Sequence, residues 1–220
     1  MDAIALLTRD HREVEQLFKQ FDKLTGRATK SKKNIVMKLI RELAVHSAVE
    51  EMLFYPAVRT SGLRADSRAG EAAAETILES LEEHHVVKWT LSELEKLDPD
   101  DDRFDPKVKV LMESVRRHVQ EEEGDLFPKA RKLLGQEMLD ELGSRMEKAK
   151  KLAPTRPHPR APDMPPGNLV AGIAAAMMDR GKDLMRDLMT RGRQEVTRRG
   201  GELMKRGREV TRGPEEHART

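Results

Sequence analysis

The chain has 220 residues, with 41 Lys+Arg against 39 Asp+Glu, no cysteine, and 3% aromatic residues. So charged and aromatic-poor a composition excludes a rich β core, and the lack of thiols excludes a disulfide framework and leaves only nitrogen and oxygen donors for any metal. The start, Met1-Asp2-Ala3-Ile4, lacks the basic and apolar run of a secretion signal, and the longest apolar stretch, Leu169 to Met178, is too short to span a bilayer, so a cytoplasmic protein is expected.

Apolar residues recur at three- and four-residue intervals through four segments, which predicts helices. The first, about residues 2–24, aligns Leu7, His11, Val14, Phe18 and Phe21 on one face and ends at Gly26. The second, about residues 31–59, aligns Ile35, Leu39, Leu43, His46, Glu50 and Leu53; the third, about residues 66–97, aligns Ile77, Leu81, His84, Leu91 and Leu94. After the turn Asp98-Pro99-Asp100 the fourth, about residues 106–134, aligns Val108, Leu111, Val115, His118 and Glu122, with Pro106 in its first turn. A shorter fifth segment, residues 136–152, is expected to lie across one end. Short connections favour antiparallel neighbours, so residues 1–152 are expected to form an all-α, up-and-down four-helix bundle.

Within it an eleven-residue pattern occurs twice, from His46 to Pro56 and from His118 to Pro128, with His, Glu-Glu, an aromatic and Pro at matching offsets. His and Glu four apart lie one above the other on a helix, so each copy presents an imidazole beside a carboxylate. Each copy follows another histidine on an apolar face, His11 at 35 residues and His84 at 34 residues upstream. Antiparallel pairing brings all of these to one depth in the bundle. A single buried His or Glu is ordinarily structural, but six polar groups in a repeated pattern on core-facing stripes would cost stability unless they had a ligand to hold. The spacing thus predicts a two-fold metal site in which the carboxylates bridge. Glu51, Glu83, Glu121 and Glu123 are read as a solvated helix face, from which one could orient a histidine. Of the adjacent His84 and His85, His84 sits among Ile77, Leu81 and Leu91 and is taken as the ligand. Core packing suffices to explain Trp89 and Tyr55.

One histidine per helix and two H-x-x-x-E motifs running into an aromatic-Pro resemble the hemerythrin HHE cation-binding family over about residues 3–134. The resemblance implies a hemerythrin-like bundle holding a non-haem di-iron centre that meets oxygen species, with metal-binding positions His11, His46, Glu50, His84, His118 and Glu122. His and carboxylate donors would also suit manganese or zinc. Oxygen carriers of the family place a second histidine one turn after the third-helix ligand, where this chain has Lys88. Water, a carboxylate such as Glu51, or an open position would replace it, which disfavours reversible oxygen carriage. The expected function is binding or sensing of dioxygen, peroxide or nitric oxide. The alternatives are a peroxide-consuming enzyme with catalase- or peroxidase-like activity, and an assembly protein stabilised by metal.

Beyond the bundle the composition changes. Residues 1–150 carry a net charge of −4 and residues 151–220 one of +6, and residues 153–168 hold six of the eleven prolines. Residues 153–168 are therefore expected to be an extended linker, and residues 169–220 a basic, amphipathic, Gly-interrupted tail. Self-association or a protein partner suits the tail's Met and Leu stripe, and an anionic membrane is the next reading; a disordered solubilising tail suits the composition equally. Nucleic acid is disfavoured by the nine acidic residues of 151–220 and the lack of any aromatic in that stretch.

Overall fold

The computed structural model describes residues 1–24, 28–65, 67–163, 167–168, 171–172 and 174–183. Among them there is no strand, and no helix is long and apolar enough to cross a membrane. Helix α1 spans Ala3–Asp22 and begins at Asp2, whose carboxylate accepts from Ala5 N at 2.7 Å, satisfying one of the free first-turn donors. The expected stop at Gly26 lies outside the described residues.

Helices α2 (Thr29–Val49) and α3 (Tyr55–Arg64) are joined by a π-helical turn, Glu50–Phe54. Helix α4 spans Arg68–Lys96, capped by the Ser67 hydroxyl. Helices α5 (Phe104–Glu121) and α6 (Phe127–Lys150) are joined by a second π turn, Glu122–Leu126. The two helices expected to be continuous through the repeated motif are therefore each widened by one turn, at the same point of the motif. The cause is in the sequence: Pro56 and Pro128 lack an N–H, and a proline ring clashes with the carbonyl four residues back. Tyr55 and Phe127, just before each proline, donate instead to Glu50 O and Glu122 O, five residues back. The fifth segment continues from the fourth across a kink at Gly135, whose φ of 72° suits glycine.

Four antiparallel stretches form the bundle around two apolar clusters. One contains Leu6, Leu7, Val45, Val49, Phe54, Tyr55, Ile77, Leu81, Leu126 and Phe127. The other contains Val14, Phe18, Leu39, Leu43, Leu91, Leu94, Leu111 and Val115. On α1, α2, α4 and α5 the buried histidine falls where one cluster gives way to the other, so a polar layer lies between two apolar cores. The carboxyl-terminal half of α6 crosses the start of α1, with Leu139, Leu142 and Met146 in the first cluster.

Helices α3 and α4 touch backbone to backbone at Gly62 and Gly70. A Cβ on Gly70 would stand 2.2 Å from Gly62 O. Gly70→Ala is therefore expected to lower stability by about 1–3 kcal/mol through overpacking, read as a lower urea midpoint. Gly124, with nothing within 4 Å of its would-be Cβ, supplies the control.

The compact unit runs from Met1 to Asp179. The stretch expected as an extended spacer lies against the bundle: Ala153 is buried, Arg156 pairs with Glu95, and the Arg160 guanidinium sits 5.9 Å from the Trp89 ring centroid. Asp179, fully buried, accepts from Thr155 N at 3.0 Å, Arg156 N at 3.1 Å and His158 Nε2 at 3.1 Å. The readings placed on the tail fall mostly on residues 184–220, outside the described residues.

Candidate metal centre

Two groups of buried donors meet in the polar layer. His11, His46, Glu50 and Glu122 form one; Glu50, His84 and His118 form the other. All six expected positions come together, and His84 rather than His85 points inward. His85 lies outside the layer, accepting from Trp89 Nε1 at 3.0 Å.

The geometry is that of lone pairs turned toward one another. His11 Nε2 and His46 Nε2 are 3.2 Å apart, and His84 Nε2 and His118 Nε2 are 3.1 Å apart. Glu50 Oε2 lies 3.1 Å from His46 Nε2 and 3.5 Å from His84 Nε2, while Glu122 Oε2 lies 3.2 Å from His11 Nε2 and 3.4 Å from His118 Nε2. Each carboxylate thus reaches one histidine of each hairpin. Both oxygens of Glu50 and Oε2 of Glu122 are buried without a hydrogen-bond partner. A fold rarely keeps such orphaned acceptors, and a cation among them would satisfy all of them, so the residues fit a metal pair.

The outer face of each imidazole explains which nitrogen points inward. His11 Nδ1 meets Glu123 Oε1 at 2.8 Å, His84 Nδ1 meets Glu51 Oε1 at 2.9 Å, and His118 Nδ1 meets Glu83 Oε2 at 2.9 Å. An ionised carboxylate only accepts, so Nδ1 carries the hydrogen and the Nε2 lone pair is left for a cation. The fourth, His46 Nδ1, faces Asp10 Oδ2 at 3.7 Å, beyond hydrogen-bond reach.

This outer ring corrects the reading of Glu51 as part of a solvated face, since it is buried; half-buried Glu83 and exposed Glu123 keep their solvent contact, and all three hold a histidine of the layer. Asp10 was missed, although the repeat holds a signal for it. An acid immediately precedes the odd histidine in both halves, Asp10-His11 and Glu83-His84, just as Glu51 and Glu123 follow the paired glutamates. Nor is Glu51 available to replace the missing third-helix nitrogen. Lys88, at that position, holds both its oxygens at 2.6 Å and Glu51 faces the outer nitrogen of His84.

At the repeat's aromatic position the halves differ. Phe127 stacks on His11, with centroids 5.8 Å apart. Tyr55 tilts over His84, donates its hydroxyl to Glu122 Oε1 at 2.8 Å, and brings that hydroxyl to 3.3 Å from His84 Nε2. Tyr55 is therefore more than core packing: its hydroxyl ties Glu122 to the His84 side of the layer.

Burial, followed by the neighbouring Glu122 charge, raises Glu50 well above the usual carboxylate range. For Glu122 burial pulls the same way, but His118, His11 and His46 outweigh it and hold its carboxyl far down. The layer therefore favours the proton on Glu50 and the charge on Glu122. Burial lowers His46 to about 4. It opposes the descent of Asp10 to about 2, which neighbouring His46 and Lys150 bring about. Burial, then the Glu122 charge, raises the Tyr55 phenol, so it stays protonated at neutral pH.

Residues 2–130 match the sequence model of the hemerythrin HHE cation binding domain. An uncharacterized hemerythrin-like protein of Schizosaccharomyces pombe is 31% identical over 177 residues, covering 80% of this chain and 83% of the relative. A DNA nickase of Nostoc sp. is 23% identical over 145 residues, and the match takes in 66% of this chain but only 38% of that protein. The crystal structure of a hemerythrin HHE cation binding domain-containing protein from Mycobacterium kansasii superposes with a TM-score of 0.55 at 22% identity, covering 69% of this chain and 88% of the other. It shares the fold.

Proposed function

The chain belongs to the hemerythrin HHE cation-binding domain family, and on that premise we propose that its polar layer holds two iron ions and serves to bind or sense dioxygen, peroxide or nitric oxide. The observation that carries this reading is the pair of inward Nε2 clusters sharing the orphaned Glu50 carboxylate. His11, His46 and Glu122 would hold one ion, His84 and His118 the other, with Glu50 between them. Iron so held supplies a redox-active Lewis acid. Manganese and zinc suit the same donors.

The protein's own residues make the two halves unequal. Glu122 meets the His84/His118 group only at His118 Nε2, 3.4 Å away, and a compact donor set forms there with Glu50, where both glutamates join His11 and His46; the former is read as the half with room for a small ligand. A pocket of about 260 Å³ adjoins that half, lined by Tyr55, Leu63, Ile77 and Leu81 and also by the charged Glu51, Arg59 and Asp163. Tyr55 favours a second reading, turnover of peroxide, because its hydroxyl, which donates to Glu122 Oε1, lies 3.3 Å from His84 Nε2, where by turning its hydrogen it would serve a ligand held there.

Protein prepared aerobically from iron-supplemented cells is expected to contain about two irons per chain and to show near-ultraviolet oxo-iron absorption, both falling sharply in His118→Ala. Metal-free wild type with unaltered helicity would overturn the reading. Steady oxygen evolution from peroxide, lost in His118→Ala, would establish the enzymatic alternative; bleaching without turnover would establish the sensor.

A further inference from the structure

The π turn at Glu50–Phe54 leaves a backbone acceptor that the carboxyl-terminal segment satisfies. In an α-helix Glu51 O would accept from Tyr55 N–H, but that N–H goes to Glu50 O, and the following residue, Pro56, has none to give. Glu51 is buried, and a buried carbonyl left unmatched is costly. Asn168, 5% exposed, donates through Nδ2 to Glu51 O at 3.0 Å and to Asp163 O at 3.2 Å.

The residue so held is the one that orients His84. Glu51 is pinned at its carbonyl by Asn168, at its carboxylate by Lys88, and from there it fixes His84 Nδ1. Its counterpart in the second copy, Glu123, has a side chain 41% exposed against 5% for Glu51. We infer that Asn168 is a positioning residue of the metal centre, acting through Glu51 on the His84/His118 half. The segment that carries it is anchored by Asp179 on the turn at residues 155–158 and by buried Ala175 and Ala176, so residues beyond the bundle complete the site. The inference rests on reading the polar layer as a metal centre.

Full-length Asn168→Ala and Asn168→Asp, the second nearly isosteric but without the donor, test it. In metal-free protein with labelled histidines, the His84 Nδ1–H resonance, identified by its loss in Glu51→Ala, is expected to vanish in both variants while those of His11 and His118 persist. After iron loading, half of the iron is expected to be held about 10- to 100-fold more weakly in chelator competition, the usual scale for losing support behind a ligand. Resonances all unchanged, or all lost together with a fall in melting temperature, would overturn the assignment, the latter marking a general stabilising contact. A wild type that takes up no iron would overturn the metal reading alone, because the His84 resonance is read without metal.

Discussion

Glu50→Met is expected to move the metal-free and metal-bound proteins in opposite directions. Glu50 belongs to both groups of donors, so its removal takes a donor from each, and bound iron should fall from about two per chain to well under one. Without metal the same carboxyl is a liability. It is fully buried, neither oxygen has a hydrogen-bond partner, and burial together with the charge of Glu122 favours its protonated form. Desolvating an unpaired polar group costs about 1–3 kcal/mol, and methionine fills a similar volume with an adaptable apolar chain. Urea unfolding in excess chelator should therefore show the variant more stable than wild type by about that amount, and the order should reverse when both are loaded with iron. A variant less stable without metal would mean that Glu50 has a structural role in the apo fold.

The opposite signs also mark what could be read from the residues alone. The helices, their antiparallel order and the inward set of His11, His46, Glu50, His84, His118 and Glu122 follow from periodicity and repetition, because a buried stripe tolerates few polar groups and these recur on it. Glu51 was misjudged because it falls where an unbroken helix would expose it; Glu83, on the continuous α4, is half-buried and Glu123 is exposed, so each of these meets a histidine from a face that is solvated in part. The π turns begin at the paired glutamates, and turns of this kind are often found at functional sites. Pro56 and Pro128 stood in plain view, yet a proline in a helix reads as an end or a kink before it reads as a widened turn. Asn168 was out of reach for another reason: its partner is a main-chain carbonyl 117 residues away, and such a contact has no local pattern.

Acidity should control occupancy of the centre, with a sign fixed by which groups hold protons. Burial and Glu122 raise Glu50; His11 and His118, which burial alone would lower, are raised above the usual histidine value of 6.5, the first by Glu122 and Glu123 and the second by Glu122 and Glu83. A cation must displace all three protons, since it binds carboxylate and neutral imidazole. Each displaced proton makes affinity rise about tenfold per pH unit until that group's raised value is passed. Burial lowers His46 and His84, so they are already neutral in this range and add nothing to the slope. Just above pH 6.5 the affinity for ferrous iron is thus expected to climb by between one and three decades per unit, and then to level off. Metal-free stability runs the other way. Groups whose values are raised on folding stabilise the fold most at low pH: for Glu50 that contribution begins to fade above 4.5, and for His11 and His118 above 6.5, each being lost as pH passes the folded value. Chelator competition at several pH values, alongside urea unfolding of the apo protein in the same buffers, reads both trends. A flat affinity profile would show that the ligands stand deprotonated before metal arrives, and that the proton assigned to Glu50 is not there.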